Sequence, residues 1–154
     1  MKSEERKVKR EEWREKSEER KVKSEKWRVK SEERKVMTES ILKQKSYLFA
    51  LKVIKIYKQI VSEHKEFVLS KQFLKSGTAI GALVHEAEFA QSKPDFISKL
   101  SIAMKEANEC DYWILLLKDS AYISIETYDS IEPDQKELIY MLISSIKTAK
   151  SNLK

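Results

Sequence analysis

Phe96, Leu100, Ala103, Ala107, Cys110, Ile114 and Leu117 follow one another at intervals of 4, 3, 4, 3, 4 and 3 residues. This is the spacing of an a-and-d seam, which holds one side of a helix against its neighbours over about six turns. A strand would instead alternate at two. Just ahead stands Ser92-Lys93-Pro94-Asp95, which supplies a hydroxyl able to cap, a proline in the first turn and an acid near the positive end of the helix dipole. The spacing therefore predicts a helix from this cap to about Asp119. Ile97, Ile102, Met104, Trp113, Leu115 and Leu116 form a second apolar edge, so its carboxyl half is apolar on most sides. One small bundle interior does not hide all of that surface.

The remaining chain is patterned in the same way. Two glycines and two prolines in 154 residues leave little turn chemistry for a sheet, and the apolar residues recur at three and four. A first helix is expected from Thr38 or Ser40 to Lys65, with Leu48, Leu51, Ile54, Tyr57 and Val61 on its apolar side. A second is expected from Ser70 to about Gln91. Gly77 and Gly81 lie inside it, each costing about 1 kcal/mol against Ala, so a close helix crossing is the expected reason for the pair. An irregular stretch is expected from Ser120 to Glu132. Pro133 would then open a fourth helix carrying Leu138, Leu142, Ile146, Ala149 and Leu153 on one side. The fold class is all-α, and an up-and-down four-helix bundle is the economical arrangement.

Residues 1–36 are different. KSEERKVK occurs at Lys2–Lys9 and Lys16–Lys23, and KSEERKVM at Lys30–Met37, a 14-residue repeat found nowhere else in the chain. Val8, Trp13, Val22, Trp27 and Val36 are spaced by 5 and 9, which scatters them round a helix and excludes a coiled-coil seam. Glu5 with Lys9, Glu12 with Lys16 and Glu19 with Lys23 are helix-supporting pairs, each contributing about 0.2–0.5 kcal/mol. A solvated, fraying helix or disorder is expected. Residues 37–154 form the bundle domain, and Met37-Thr38-Glu39-Ser40 reads as a translation start preceded by translated tandem DNA. If so, tryptic peptides from residues 1–36 will be absent from the protein purified from its host.

The boundary also divides the charge. All six arginines precede Met37, and residues 1–36 hold 15 Lys+Arg against 10 Asp+Glu, whereas residues 37–154 hold 16 against 15. The surplus of the repeat is +5 and that of the domain +1. A phosphate-gripping surface usually shows as a strong excess of Lys and Arg, so the domain carries little of that signal. Lysines could still cluster, and Lys43, Lys45, Lys52, Lys55 and Lys58, with Lys147, Lys150 and Lys154, are the candidate nucleic-acid contacts. No apolar run is long enough to span a membrane and no signal-peptide stretch is present, so a cytoplasmic protein without a membrane partner is expected. The lone Cys110 excludes an intrachain disulfide.

Glu86, Glu88, Glu106, Glu109 and His85 are the tempting chemical cluster. Carboxylates meeting between helices would follow the plan of di-iron bundles, but those need Glu-x-x-His twice, and neither His64 nor His85 has Glu three residues before it. The alternative is that Glu86, Glu106 and Glu109 pair with lysines such as Lys99 and Lys105, or accept from Thr78, as buried register devices or subunit contacts. Gly77 and Gly81 lack the Lys-Ser/Thr and the preceding strand of a phosphate loop, so they read as packing. Tyr112 and Trp113 suit a core or subunit interface, or base stacking. Cys110 reads as a small buried hydrophobe. No catalytic residue, metal or cofactor is expected.

Leu69 to Ala82 (LSKQFLKSGTAIGA), Glu86-Ala87-Glu88, Ala90 to Lys93 (AQSK), Lys99 to Glu109 (KLSIAMKEANE) and Tyr112-Trp113, in this order, resemble the four-helix-bundle proteins named after 23S rRNA intervening sequences. The likeness spans nearly all of residues 37–154. Where members often carry Asn and an apolar residue before the Glu-Ala pair, this chain has Leu83-Val84-His85. The resemblance implies a homo-oligomer, a ring-like pentamer, related to the accessory variability protein of diversity-generating retroelements. It implies no enzymatic activity. It implies RNA or DNA as a partner, through lysine-lined surfaces of the ring. A protein-binding scaffold recruiting a partner encoded nearby, without nucleic-acid affinity, is the other reading.

Overall fold

The computed structural model describes residues 1–153, without the Ser40 side chain. Four helices make up the described chain: α1 (Lys2–His64), α2 (Leu69–Glu88), α3 (Lys93–Asp119) and α4 (Ile125–Ser151). No strand occurs among the described residues. None of the helices is long and apolar enough to cross a membrane. Met1–Thr38 and Glu39–Lys154 form two separate units.

The first unit is helical with nearly every residue exposed. Trp13 and Trp27, at 68% and 73% exposure, pack on nothing that could bury them. Helix formation there rests on propensity and on neighbouring charges, since residues 2–36 contain neither Gly nor Pro. The expected start at Thr38 or Ser40 is corrected: α1 begins at Lys2. Thr38 does not cap; its hydroxyl donates back to the Arg34 carbonyl at 2.8 Å, as a threonine inside a helix does.

In the second unit, α1 lies against α2 and α4, and α3 packs on α2 and α4. The cross-helix partners fix the directions. Lys43 meets Glu88, and Val53 meets Gly77, so α1 and α2 are antiparallel. Lys45 meets Glu137 and Lys52 meets Asp134, so α1 and α4 are antiparallel too. The up-and-down bundle follows. Its core contains Leu42, Phe49, Val53, Ile56 and Ile60 from α1, Phe73 and Ile80 from α2, the whole α3 seam from Leu100 to Leu117, and Ile131, Leu138 and Leu142 from α4. Each fully buried side chain of this size contributes about 1.5–3 kcal/mol relative to exposure.

The core side of α1 is not the expected one. Leu48 and Leu51 are exposed at 53% and 48%, and Ile54, Tyr57 and Val61 are half-buried. Apolar residues cover so much of α1 that two stripes compete, and the stripe through Phe49, Val53, Ile56 and Ile60 faces the core. Ile102 and Leu115 likewise remain exposed, whereas Met104 and Trp113 pack against the core edge. On α4, Leu138, Leu142 and Ala149 are buried, but Leu153, beyond the helix, is exposed.

Local chemistry sets the helix ends. Ser92 caps α3 by accepting from the Asp95 amide at 3.2 Å. The far end of α3 closes as a Schellman motif: the Tyr122 amide donates to Leu117 at 2.9 Å, and the Ala121 amide to Lys118 at 3.0 Å. Ala121 sits there at φ 63°, a left-handed position that suits glycine. Glu66 caps α2 from outside the helix, its carboxylate accepting from the amides of Val68, Leu69 and Ser70 at 2.7–2.8 Å. Burial raises its pKa, yet these amides and the Ser70 hydroxyl together hold the carboxyl below its ordinary value.

The expected start of α4 at Pro133 is corrected as well. Ser124 caps the helix, accepting from the Thr127 amide at 3.1 Å, and Pro133 lies inside it. Proline has no N–H, so the Asp129 carbonyl loses its usual donor. The next carbonyl, of Ser130, accepts from Lys52 Nζ at 3.1 Å, and the same ammonium meets Asp134 at 2.5 Å. An α1 side chain thus supports the turn that the proline weakens.

Candidate functional site

Three of the eight candidate lysines are occupied within the fold. Lys43 pairs with Glu88 on α2, Lys45 with Glu137 on α4 at 2.7 Å, and Lys52 with Asp134. Their sequence neighbourhood is wholly basic, because no acid stands between Glu39 and Glu63. The partners come from the other helices, so their charge is balanced in place. Exposed pairs of this kind add little stability, but they do mute the field that a phosphate would sense.

Lys55, Lys58, Lys147 and Lys150 are exposed and make no ion pair among the described residues. The fold does not gather them. Lys55 and Lys58 lie toward the α1–α2 connection, whereas Lys147 and Lys150 lie at the opposite end of α4. With Lys52 level with Asp134, the two groups are separated by roughly 25–35 Å along the bundle. Lys154 lies outside the described residues.

Apolar surface is more plentiful. Leu48 and Leu51 of α1 line an open groove of about 470 Å³ against α4, floored by Phe49 and Leu138 and rimmed by Lys45, Lys52 and Lys55. Tyr47 on the same helix is 64% exposed. Other exposed apolar residues are Ile102, Tyr112 and Leu115 on α3 and Tyr140 and Ile143 on α4.

The expected buried carboxylates are corrected to surface ones. Glu86 is exposed and pairs with Lys99 at 3.2 Å, across α2 and α3, one of the lysines expected for this group of acids. Glu109 is exposed and accepts from Trp113 Nε1 at 3.1 Å. Glu106 is half-buried. Thr78 does not serve a carboxylate; its hydroxyl donates to the Leu74 carbonyl at 2.8 Å. Among the described residues, no three His, Cys, Asp or Glu side chains converge as a metal site requires. His85 is exposed beside Phe89. Tyr112 meets Trp113 edge-on at 5.0 Å, with Tyr112 turned to solvent at 58% exposure and Trp113 half-buried.

Gly77 and Gly81 are the α1–α2 crossing. A Cβ on Gly77 would stand 2.7 Å from Val53 Cγ2, and one on Gly81 3.2 Å from the Ser46 carbonyl oxygen. Cys110 is fully buried, and desolvation pushes its thiol up to about 12 although Ser76 partly opposes it. A thiolate is therefore not available at neutral pH.

Sequence reasoning missed Gln135, which is fully buried on α4. Its Nε2 donates to the Ala107 carbonyl of α3 at 2.5 Å, while its Oε1 has no partner among the described residues. The clue was present: Gln135 stands three residues before Leu138 and four after Ile131, in the core register of α4.

A comparison with curated proteins finds no match. A crystal structure of a protein of unknown function, from the S23 ribosomal protein family of Bacteroides thetaiotaomicron, is 53% identical to this chain. The match covers 71% of this chain and 98% of that one, with a TM-score of 0.70. The model of the 23S rRNA-intervening sequence protein family matches residues 38–144, across all four helices. With sequence, fold and helix order in agreement, the chain belongs to the 23S rRNA-intervening sequence protein family.

Proposed function

We propose that this protein is a non-enzymatic interaction module whose Glu39–Lys154 unit self-associates and presents lysines to a nucleic acid or nucleoprotein partner. The observation that carries the reading is the α1 outer face, where Tyr47, Leu48 and Leu51 stand about half or more exposed, at 64%, 53% and 48%, beside a lysine-rimmed groove. Apolar residues held outward on a well-packed bundle mark a contact surface. Self-association is the occupant favoured, and the ring-like homopentamer is the assembly expected. Copies arranged in a ring repeat each lysine around it, so that a modest charge per copy becomes a multivalent one.

The competing reading is a scaffold for a protein partner. Its support is the ion pairing of Lys43, Lys45 and Lys52, which leaves fewer free cations than the sequence suggests. Light scattering on the full chain, followed by titration with structured RNA and duplex DNA across a salt series, separates the two. A pentamer with salt-sensitive binding is expected. A pentamer that binds neither nucleic acid would favour the scaffold, and a monomer at all concentrations would overturn self-association. Leu48→Lys with Leu51→Lys should dissociate the assembly without lowering the stability of the bundle, since neither side chain is in the core.

A further inference from the structure

We propose that the nucleic-acid backbone docks on the outer surface of the α1–α2 pair, through Lys58, Lys65, Lys71 and Lys75. This deepens the nucleic-acid reading and rests on it. Three of these residues, Lys65, Lys71 and Lys75, come from the α1–α2 connection and α2 and do not belong to the sequence-derived set.

Register brings them together. Val53 opposes Gly77, Ser46 opposes Gly81 and Lys43 opposes Glu88. The same antiparallel step puts Lys58 level with Lys71, and Lys75 follows one turn along α2, about 6 Å away. Lys65 follows in the connection, at φ 53°. One level pair and two flanking charges thus form a short row on adjacent helices, apart from Lys55, which lines the α1–α4 groove. All four are exposed, and none makes an ion pair among the described residues.

The opposing charge is missing here. No acid occurs from residue 40 to 62 on α1, nor from residue 67 to 85 across α2. Of the two acids around the α1–α2 connection, the Glu66 carboxylate is spent on three α2 amides, and Glu63 lies beside His64 and Gln59. The acids that neutralise Lys45 and Lys52 stand on α4, on the other side of α1. Positive charge therefore persists on this surface even though the domain as a whole is nearly neutral.

The type of cation favours phosphate. Lysine is a compact, strongly hydrated charge with three rotatable donors, suited to many phosphates in loose geometry. Fixed recognition of carboxylates favours bidentate arginine, and residues 37–154 contain none.

The test uses the full chain with a labelled RNA hairpin and duplex DNA, measuring affinity against salt. Replacing Lys58, Lys65, Lys71 and Lys75 by Gln together is expected to flatten the log-affinity against log-salt slope by about three to four units, roughly one per lysine. The parallel variants are Arg6→Gln/Arg10→Gln/Arg20→Gln/Arg34→Gln in the repeat and Lys147→Gln/Lys150→Gln on α4; both should leave most of the slope intact. Matched guanidinium midpoints confirm that all variants fold. If the slope survives the four lysine changes and falls instead in either parallel variant, the placement is wrong while nucleic-acid binding stands. If wild-type protein binds neither RNA nor DNA, both are wrong, and light scattering still reports on assembly. If polyglutamate competes as well as nucleic acid at equal charge and salt, the surface is one for acidic proteins and the proposal falls.

Discussion

Replacing Gly77 by Ala should destabilise the bundle, although Ala is the better helix former. In an open helix the change would stabilise by about 1 kcal/mol. Here the new methyl would lie 2.7 and 2.8 Å from the two Val53 methyl carbons and 3.2 Å from Val53 Cβ. Val53 is fully buried and β-branched, so it has no free rotamer into which it can move. Overpacking of this kind costs about 1–3 kcal/mol, and contacts this short belong at the top of that range or beyond it. The net expectation is a loss of about 1–2 kcal/mol. Guanidinium unfolding followed by near-ultraviolet circular dichroism reads it, because the exposed Trp13 and Trp27 add little to that signal. Val53→Ala supplies the internal check: alone it leaves a cavity, but combined with Gly77→Ala it should cost clearly less than the two changes added. A neutral or stabilising Gly77→Ala, or strict additivity in the double variant, would refute the close-crossing argument.

Ala121→Gly should stabilise by about 0.5–1 kcal/mol, since relief of the left-handed backbone outweighs the entropy that glycine adds to the unfolded chain; unchanged or lowered stability in the same titration would count against it. Glu66→Gln should cost about 1 kcal/mol at neutral pH through weakened capping of α2. Because the folded Glu66 pKa is lowered, its contribution is present above the ordinary carboxylate value of 4.5 and fades as pH falls through the folded one. Wild type and variant should therefore converge in acid, and a difference that persists at low pH would refute the assignment. Cys110 should resist alkylation by iodoacetamide near pH 8 in the folded protein and react once guanidinium unfolds it. Rapid labelling of the native state would contradict its burial.

The parts of the fold legible in the sequence are those where a local signal and a periodic one coincide. α3 is the clearest case, with the Ser92 cap setting its start and an uninterrupted seam carrying it to Leu117. α4 shows the opposite. Pro133 was expected to open it, but Ser124 does, and the proline sits nine positions into the helix beside the turn that Lys52 of α1 reaches at Ser130. On α1, apolar residues were dense enough that the core stripe could not be told from the outer one without the neighbours. The candidate site failed for a related reason. Whether Lys45 or Lys55 is free depends on α4, whose acids are some 80 residues away in sequence, and no local pattern carries that register. The acid-free runs on α1 and α2 acquire a meaning only when the helices are laid side by side.

The reach of Lys52 to the proline turn of α4 also bears on how this bundle must fold. The middle of α4 is weak as an isolated helix, and its support comes from α1, roughly 80 residues earlier in the chain. The turn around Pro133 gains this support only after the two ends of the domain have met. Hydrogen exchange should then find the amides around Pro133 opening together with the α1–α4 seam. A peptide spanning Ile125–Ser151 alone should show a helix broken near its middle. The domain's last helix thus meets its first at the one turn that its own backbone leaves weakest.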